Sequence, residues 1–214
     1  MISLVIDTSH SENFIGLFNE SNDWLIAKAF TSSPYEALPY HFNEVIKDSN
    51  TNLKTIESIY MPCAPGSTLG IRIAQMFVQG LITAHPYQPQ VHVHTYNGFF
   101  LSALYLKNFI KDNQEAHLIA ENGRDKWNSI NLNDLEKPKV SILNGDKLPL
   151  ISGDIYVIPQ SKSWKTPPKT ARKCIYSAER FLPFLKNFKQ SKVNHEILMN
   201  PTMSYQKWNE QQKK

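Results

Sequence analysis

Residues 65–84 read PGSTLGIRIAQMFVQGLITA and form the most strongly patterned segment of the chain. The Pro65-Gly66 pair predicts a turn, because glycine accepts a positive φ that other residues avoid. Ser67 follows as a predicted helix N-cap, a position where a hydroxyl accepts hydrogen bonds from the free N–H groups of the first turn. The segment therefore predicts a turn that leads into a helix over residues 67–84.

The apolar surface of this predicted helix is broader than a single sheet can cover. At about 100° per residue its apolar and small residues fill an arc of roughly 220°, whereas a helix on one sheet needs about 100°. The surplus indicates a second partner, either another helix of this chain or another protein, and a fully buried core helix is the competing interpretation. The arc holds Leu69, Gly70, Ile71, Ile73, Ala74, Phe77, Val78, Gly80, Leu81, Ile82 and Ala84, and the remaining stripe holds Arg72, Gln75, Met76, Gln79 and Thr83.

The segments around this helix predict a regular order of strands and helices. Residues 2–6 are an apolar run that predicts a buried strand ending at Asp7-Thr8-Ser9, at the edge of a sheet. The full order is three strands, helix, strand, helix, strand. The other predicted strands are 13–19, 23–30, 58–62 and 91–95, and the other predicted helix is 36–49.

The second half of the chain predicts a further mixture of strands and helices. Asn122-Gly123 is a hairpin signal between two short strands. Thr166-Pro167-Pro168 breaks the chain, and Ala171, Ile175 and Ala178 then recur at helical spacing. The predicted helices are 99–111 and 170–187, and the predicted strands are 117–121, 126–132, 139–143, 154–158 and 197–199.

The overall composition is that of an ordinary globular protein. Of the 214 residues 41% are hydrophobic and 20% are charged. The two cysteines, Cys63 and Cys174, argue against a disulfide framework and indicate a reducing compartment. The sequence contains no apolar run of about 18 residues, and its N-terminus lacks the pattern of a signal peptide. We therefore expect a cytoplasmic protein with no membrane contact.

Charge is distributed unevenly along the chain. Residues 1–97 carry eight acids and four bases, a net charge of −4, whereas residues 98–214 carry eleven acids and nineteen bases, a net charge of +8. Residues 160–192 alone hold nine bases and one acid. Such a segment either contacts a nucleic-acid backbone or is a solvated basic face.

Two motifs of the first half occur together. The first is the apolar strand that ends in Asp7-Thr8-Ser9. The second is Leu53-Lys-Thr-Ile-Glu-Ser-Ile59 followed by Ala64-Pro-Gly-Ser-Thr-Leu-Gly-Ile-Arg-Ile73. Together they resemble the bacterial TsaB (YeaZ) family, which acts in threonylcarbamoyladenosine modification of tRNA, and the resemblance implies tRNA as the nucleic acid that residues 160–192 would contact. The chain departs from the family pattern at Pro62, at Ala64 and at Thr68-Leu69, and the resemblance is good only over residues 1–82. The matching core residues are Pro65, Gly66, Ser67, Gly70, Arg72 and Ile73.

The resemblance implies an α/β fold of two ribonuclease-H-like lobes of the actin, hexokinase and heat-shock ATPase type. Residues 1–97 would be the first lobe with the partner-binding helices, and 98–214 a smaller, divergent second lobe. It also implies a non-catalytic partner of the TsaD-like transferase subunit, joined by a TsaE-like ATPase and forming homodimers when alone. The interface we expect from it comprises Leu69, Arg72, Ile73, Met76, Phe77 and Gly80.

The alternative function is an enzyme, a small actin-like ATPase or sugar-kinase-like protein with Asp7 beside a metal-bound water. Asp7-Thr8-Ser9 is then a degenerate phosphate-binding turn, although active turns need small residues where His10 and Glu12 stand here. The other interpretation is a hydrogen-bonded turn in which Asp7 caps backbone amides. We expect no bound cofactor.

Histidine spacing argues against a metal site. None of the seven histidines lies four residues from another, the spacing with which the family's catalytic subunit binds metal. His92 and His94 alternate on a predicted strand and face the same side, but two ligands without a third make a poor site.

Overall fold

Two five-stranded mixed sheets form the framework of the chain. The computed structural model describes residues 2–64, 66–84, 91–111, 114–122, 126–135, 140–159 and 166–185. The first sheet contains β1 (Ile2–Asp7), β2 (Asn13–Asn19), β3 (Trp24–Phe30), β4 (Ile56–Ala64) and β5 (His92–Asn97). The second contains β6 (Ala116–Glu121), β7 (Lys126–Asn131), β8 (Ser141–Asn144), β9 (Asp154–Val157) and β10 (Arg172–Lys173). The α-helices described are α1 (Pro34–Asp48), α2 (Thr68–Ala84), α3 (Gly98–Lys107) and the short α4 (Leu182–Leu185), with 3-10 turns at 53–55, 145–150 and 178–181.

The first sheet has the strand order β3-β2-β1-β4-β5. Strands β1, β2 and β3 form an antiparallel meander. Strand β4 runs parallel to β1 and β5 runs parallel to β4, and a helix makes each of the two crossovers. The predicted order of three strands, helix, strand, helix and strand is therefore confirmed.

The second sheet repeats the arrangement of the first. Its order is β8-β7-β6-β9-β10, in which β6, β7 and β8 form the antiparallel meander and β9 and β10 add in parallel. The predicted fold of two ribonuclease-H-like lobes is confirmed. The division into domains at residue 97 stays a prediction, because residues of the 174–185 segment pack on the first sheet as well as on the second.

Helices α1 and α2 cover one face of the first sheet. Leu4 and Ile6 of β1 point to this face, as the alternation of side chains along a strand requires. Phe42 of α1 meets Phe77 of α2 edge to face, with ring centroids 5.3 Å apart. The buried helix residues that close this core are Leu38, Phe42, Val45, Ala74 and Val78.

The opposite face of the first sheet belongs to a core that also reaches the second sheet. Val5 of β1 points to this side, and Leu118 of β6 enters the same core from the other lobe. Helix α3 and residues 174–185 lie in this core and connect the two sheets. Trp24 of β3 adds a polar link, because its Nε1 donates to the carbonyl of Glu179 at 3.3 Å.

The predicted helix over residues 170–187 is wrong. Cys174 and Tyr176 are buried while Lys173 and Ile175 are exposed, which is the alternation of an extended chain. Strand β10 pairs in parallel with β9, and Cys174 N donates to the carbonyl of Val157 at 2.8 Å. Sheet pairing has prevailed over the apolar spacing of three to four residues. Within residues 170–185, the described part of the predicted helix, only 182–185 are α-helical.

Smaller corrections concern the ends of elements. Helix α3 ends at Lys107 rather than at residue 111, since Asn108 occupies its C-cap. The predicted strand 197–199 lies outside the described residues, as do Gly123 of the hairpin signal and residues 160–165 and 186–192 of the basic segment.

None of the described helices is long and apolar enough to cross a membrane.

Candidate functional site

Asp7 at the end of β1 is completely buried and accepts four hydrogen bonds from the chain itself. Its Oδ1 accepts from the backbone N and the Oγ of Ser9, at 2.9 and 2.6 Å. Its Oδ2 accepts from the hydroxyls of Tyr96 and Tyr176, at 2.5 and 2.6 Å. Tyr96 belongs to β5 and Tyr176 follows β10, so one carboxyl group joins three separated parts of the chain.

The two tyrosines are permanent donors at neutral pH. Burial raises the pKa of both Tyr96 and Tyr176 well above the ordinary value, and the nearby Asp7 carboxyl raises it further. Both phenols therefore keep their protons and direct them at Asp7. The interpretation of Asp7 as a cap for local backbone amides is confirmed by its bond to Ser9 N.

His10 closes the outer side of this cluster. Its ring stacks on that of Tyr176, with centroids 3.5 Å apart and planes inclined by 17°. Its Nδ1 lies 2.8 Å from Ser9 Oγ, and because the single Ser9 proton is directed at Asp7, His10 Nδ1 is the donor in this contact. Burial lowers the pKa of His10 to about 4, against the opposing pull of Asp7. The imidazole is therefore neutral at pH 7.

The turn after β1 fits tightly against the start of α2. Thr8 Oγ1 donates to the carbonyl of Gly70 at 2.6 Å, and Ser67 N donates to the carbonyl of Ser9 at 2.6 Å. Gly66 has φ +151°, and a Cβ on it would lie 2.5 Å from Ser9 O. A Cβ on Gly70 would lie 1.7 Å from Thr8 O. The glycines of the motif therefore allow the backbone of α2 to reach the backbone of the turn.

Ser67 is the N-cap predicted from the sequence. Its Oγ accepts from Gly70 N at 3.1 Å, and its carbonyl accepts from Ile71 N at 2.9 Å. Pro65, which precedes the motif, lies outside the described residues.

The contacts of this turn occupy the groups that would hold a phosphate. A phosphate-binding turn presents free backbone N–H groups to its ligand. Here Ser9 N donates to Asp7, Ser67 N donates to Ser9 O, and Gly70 N donates to Ser67 Oγ. The carboxyl group of Asp7 has no exposed surface from which to reach a metal-bound water. Asp7, Thr8 and Ser9 are thus brought together as predicted, but in a closed network within the chain.

Three members of this cluster were not predicted as site residues. Tyr96 and Tyr176 lie 89 and 169 residues from Asp7 along the chain, so no local spacing connects them with it. The sequence marks His10 only as a bulky residue in a phosphate turn. It gives no clear signal for Tyr176, because Ile175 between Cys174 and Tyr176 is itself apolar and fits a helical spacing.

The outward face of α2 carries most of the predicted interface. Leu69 and Met76, two turns apart, are 68% and 71% exposed. Gly80 is also exposed, with no atom within 4 Å of a Cβ built on it, while Ile73 between them is half-buried. These four residues succeed one another at intervals of four, three and four, so they form one row along the helix. We call the row Leu69, Ile73, Met76 and Gly80 the α2 row.

The remaining predicted interface residues flank the α2 row. Arg72 is half-buried, and Phe77 is half-buried because its ring packs on Phe42 of α1. Helix α1 lies beside α2 and exposes Tyr35 by 77% and Tyr40 by 61%. Two neighbouring helices thus present apolar and aromatic side chains to solvent on the same side of the first sheet.

No metal-binding group emerges from the part of the chain that the structure describes. Within those residues no three His, Cys, Asp or Glu side chains lie close enough to hold an ion. His92 and His94 have ring centroids 6.4 Å apart, and His94 stacks on Tyr60.

Solved structures with the same fold exist. A protein from Pseudomonas aeruginosa described as uncharacterized with similarity to peptidase YeaZ is 15% identical, with a TM-score of 0.61 over 89% of this chain and 94% of that chain. YeaZ from Pseudomonas aeruginosa is 14% identical, with a TM-score of 0.61 over 89% of this chain and 95% of that chain. The chain therefore has a YeaZ-like fold. No protein-family model matches the sequence, and no curated protein does.

Proposed function

We propose that this chain is the non-catalytic partner of a TsaD-like tRNA threonylcarbamoyl transferase subunit, which it contacts through α2. The motifs shared with the TsaB family and the YeaZ-like fold support this assignment. A TsaE-like ATPase would join the pair, and two copies of this chain would use the same surface as a homodimer when the partner is absent.

The observation that carries the proposal is the exposed α2 row. Leu69 and Met76 are among the most exposed large apolar residues described, on a helix whose opposite face is buried through Gly70, Ala74 and Val78. Single exposed apolar side chains are common, but a row along one helix beside exposed tyrosines is typical of a protein interface. Gly80 in the same row lets a partner helix approach the backbone closely.

The closed network around Asp7 supports a non-catalytic role over the alternative of an ATPase or sugar kinase. An active enzyme of this fold would need an exposed carboxylate and free amides at this turn. Here Tyr96 and Tyr176 cover the carboxyl group and the amides bond within the chain. Titration calorimetry with ATP and Mg²⁺ tests this point: we expect no binding at millimolar nucleotide, and a measurable heat with 1:1 stoichiometry would favour the enzyme.

The partner assignment is tested by co-expressing the chain with the TsaD-like paralogue from the same cell and capturing either protein by a tag. We expect a complex with the wild-type chain. Met76→Asp and Leu69→Asp place a charge in the interface and should reduce capture about tenfold or more, since a buried unpaired charge is costly.

The matched control is Leu150→Asp. Leu150 is 81% exposed on the second lobe, so the same change of chemistry there should leave capture unaltered. All three variants replace exposed side chains and should unfold at the wild-type temperature. If both α2 variants capture the TsaD-like protein as well as the wild type does, the interface does not lie on α2. The same conclusion holds if Leu150→Asp reduces capture as much as the α2 variants do.

A further inference from the structure

The outward face of the second sheet carries a pocket of about 390 Å³, which we call the outer pocket. Leu118 of β6 points to the core between the two sheets, so His117 and Ile119 on either side of it point to the opposite, outward face. The volume lies within the range of small-molecule sites, roughly 300–1,000 Å³. The outer pocket is therefore large enough for a ligand, and it is separate from the closed network around Asp7.

The floor of the outer pocket consists of polar side chains on three neighbouring strands. His117 of β6 pairs with Asn131 of β7, and Ser129 of β7 pairs with Ser141 of β8. Paired residues of antiparallel strands point to the same side of the sheet. Ile119, which pairs with Ser129, belongs to the apolar cluster that fills the adjoining part of this face. The sheet thus gathers its outward polar residues in one place.

The Ser129 hydroxyl is the group that points to a ligand. Ser129 is 4% exposed and lines the outer pocket, and none of the described residues makes a hydrogen bond to its side chain. A buried hydroxyl without a partner is costly, and native proteins seldom leave one unsatisfied. The pocket is much larger than the roughly 30 Å³ that one water molecule occupies. A ligand of several heavy atoms can therefore enter it and reach this hydroxyl.

Two further polar atoms of the outer pocket are placed to accept from one donor group. His117 Nε2 and Glu115 Oε1 are 3.9 Å apart, too far for a direct hydrogen bond. Burial lowers the pKa of His117 against the opposing pull of Glu115, so the imidazole is neutral at pH 7. With its proton on Nδ1, the imidazole accepts at Nε2. An ammonium group between the two side chains can then donate to both.

The charge of the outer pocket favours a cation. The described residues that line it include the carboxylates of Glu115 and Asp134 and no Lys or Arg. Lys107 and Arg172, which lie on adjacent segments, are paired with side chains outside the lining. A phosphate or carboxylate ligand would bring negative charge next to two carboxylates with no cation of the lining to balance it. An organic cation would instead pair with them.

We infer that the outer pocket binds a short aliphatic polyamine, with one ammonium group between Glu115 and His117 and a second nitrogen donating to Ser129. Such a ligand combines positive charge, N–H donors and methylene groups, and the lining offers a partner for each. Leu143 and Leu150 form the apolar wall on which the methylene groups lie. The inference concerns the second lobe alone and does not depend on the proposed protein partner.

The test is isothermal titration calorimetry of the full chain with three probes of similar length. Spermidine is the cation, triethylene glycol is the uncharged chain, and glutarate is the anion. The buffer contains about 0.15 M salt, which screens binding to exposed surface charges. We expect saturable binding of spermidine at one site at millimolar concentration or below, and no heat with the other two probes.

Two substitutions in the outer pocket and one matched control locate the site. Glu115→Gln removes a charged acceptor and should weaken spermidine binding about tenfold. Ser129→Ala removes a neutral one and should weaken it about fivefold. Because that hydroxyl has no partner among the described residues, Ser129→Ala should not lower the unfolding temperature of the free chain. Glu57→Gln makes the same change as Glu115→Gln at an exposed carboxylate of the first lobe and should leave the affinity unaltered.

Any of four results would overturn the inference. The first is no heat with spermidine, and the second is binding of triethylene glycol or glutarate as strong as that of spermidine. The third is an affinity for spermidine that neither pocket variant changes. The fourth is a loss of affinity in Glu57→Gln equal to that in Glu115→Gln. Glu115 is exposed, so its variant should unfold at the wild-type temperature and its loss of binding can be assigned to the pocket.

Discussion

At the scale of single residues, the fit of Gly70 against Thr8 explains why the helix motif needs a glycine at this position. The helix backbone and the turn after β1 approach so closely that a Cβ on Gly70 would lie 1.7 Å from Thr8 O. The obstacle is a backbone oxygen, which cannot move away without breaking the turn that holds Asp7. Gly80, nearly three turns further along the same helix, meets no such obstacle.

Gly70→Ala and Gly80→Ala are therefore expected to have opposite effects on stability. The first forces the helix away from the turn and should lower the free energy of unfolding by about 3 kcal/mol or more. The second replaces an exposed helical glycine and should raise it by up to about 1 kcal/mol. Urea unfolding followed by circular dichroism measures both. Equal effects of the two substitutions would contradict the close contact between α2 and the turn.

A pH dependence of stability follows from the burial of His10. Its folded-state pKa of about 4 is below the ordinary value of 6.5, so as the pH falls the unfolded chain takes up a proton first. The free energy of unfolding should consequently fall between about pH 6.5 and pH 4, by up to about 3 kcal/mol from this residue, with no contribution above pH 7.

His10→Phe keeps a ring against Tyr176 and removes the titration. Urea unfolding at pH 7.0 and 4.5 should show a smaller difference between the two pH values for the variant than for the wild type. His117, whose pKa is also lowered by burial, contributes equally to both proteins. If the free energy of unfolding changes equally between pH 7.0 and pH 4.5 in the wild type and in the variant, the His10 ring is exposed to solvent rather than buried.

At the scale of elements, the first half of the chain was predictable and the segment after β10 was not. Strands β1 to β5 are short apolar or alternating runs and helices α1 and α2 have apolar residues at helical spacing, so their order could be derived from the sequence alone. Residues 172–176 have no alternation of polar and apolar residues in the sequence, because Ile175 is as apolar as its two neighbours. Their extended form depends on pairing with β9 and on the bond from Tyr176 to Asp7, and both partners are distant in sequence.

Substitutions at Ile175 and Tyr176 distinguish the two interpretations. In the extended segment Ile175 is 65% exposed, and Ile175→Asp should change the unfolding temperature little. Tyr176→Ala removes a buried ring and leaves Asp7 without one donor, which should cost about 3–5 kcal/mol. Differential scanning calorimetry of the two variants is the measurement. A large fall in the unfolding temperature with Ile175→Asp would contradict the extended segment and support the predicted helix, because Ile175 would lie on the buried face of that helix.

The candidate site was only half predictable for a similar physical reason. Asp7, Thr8 and Ser9 could be located because they follow a strongly apolar strand, and Ser67 because it precedes a strongly apolar helix. The two tyrosines that cover Asp7 arrive from β5 and from the second half of the chain, and only the packed core brings them there. Whether the turn is open or closed is consequently a tertiary property.

At the scale of the whole molecule, the closed network around Asp7 joins the two lobes. Tyr176 and Phe181 of the second half pack in one core with Tyr96 of the first, and the bonds to Asp7 lie within this core. With the region between the sheets occupied by its own side chains, the chain offers its outer surfaces for binding.

The central claim, that α2 is the surface for a TsaD-like partner, is tested most directly by methionine oxidation of the chain with and without that protein. Met76 is 71% exposed and should oxidise rapidly in the free chain, diluted until it is a monomer so that the homodimer does not cover α2, whereas Met61 is 1% exposed and serves as the internal control. In the complex, peptide mass spectrometry should show oxidation of Met76 slowed about tenfold or more, with Met61 unchanged. A stable complex in which Met76 oxidises as fast as in the free chain would contradict the account.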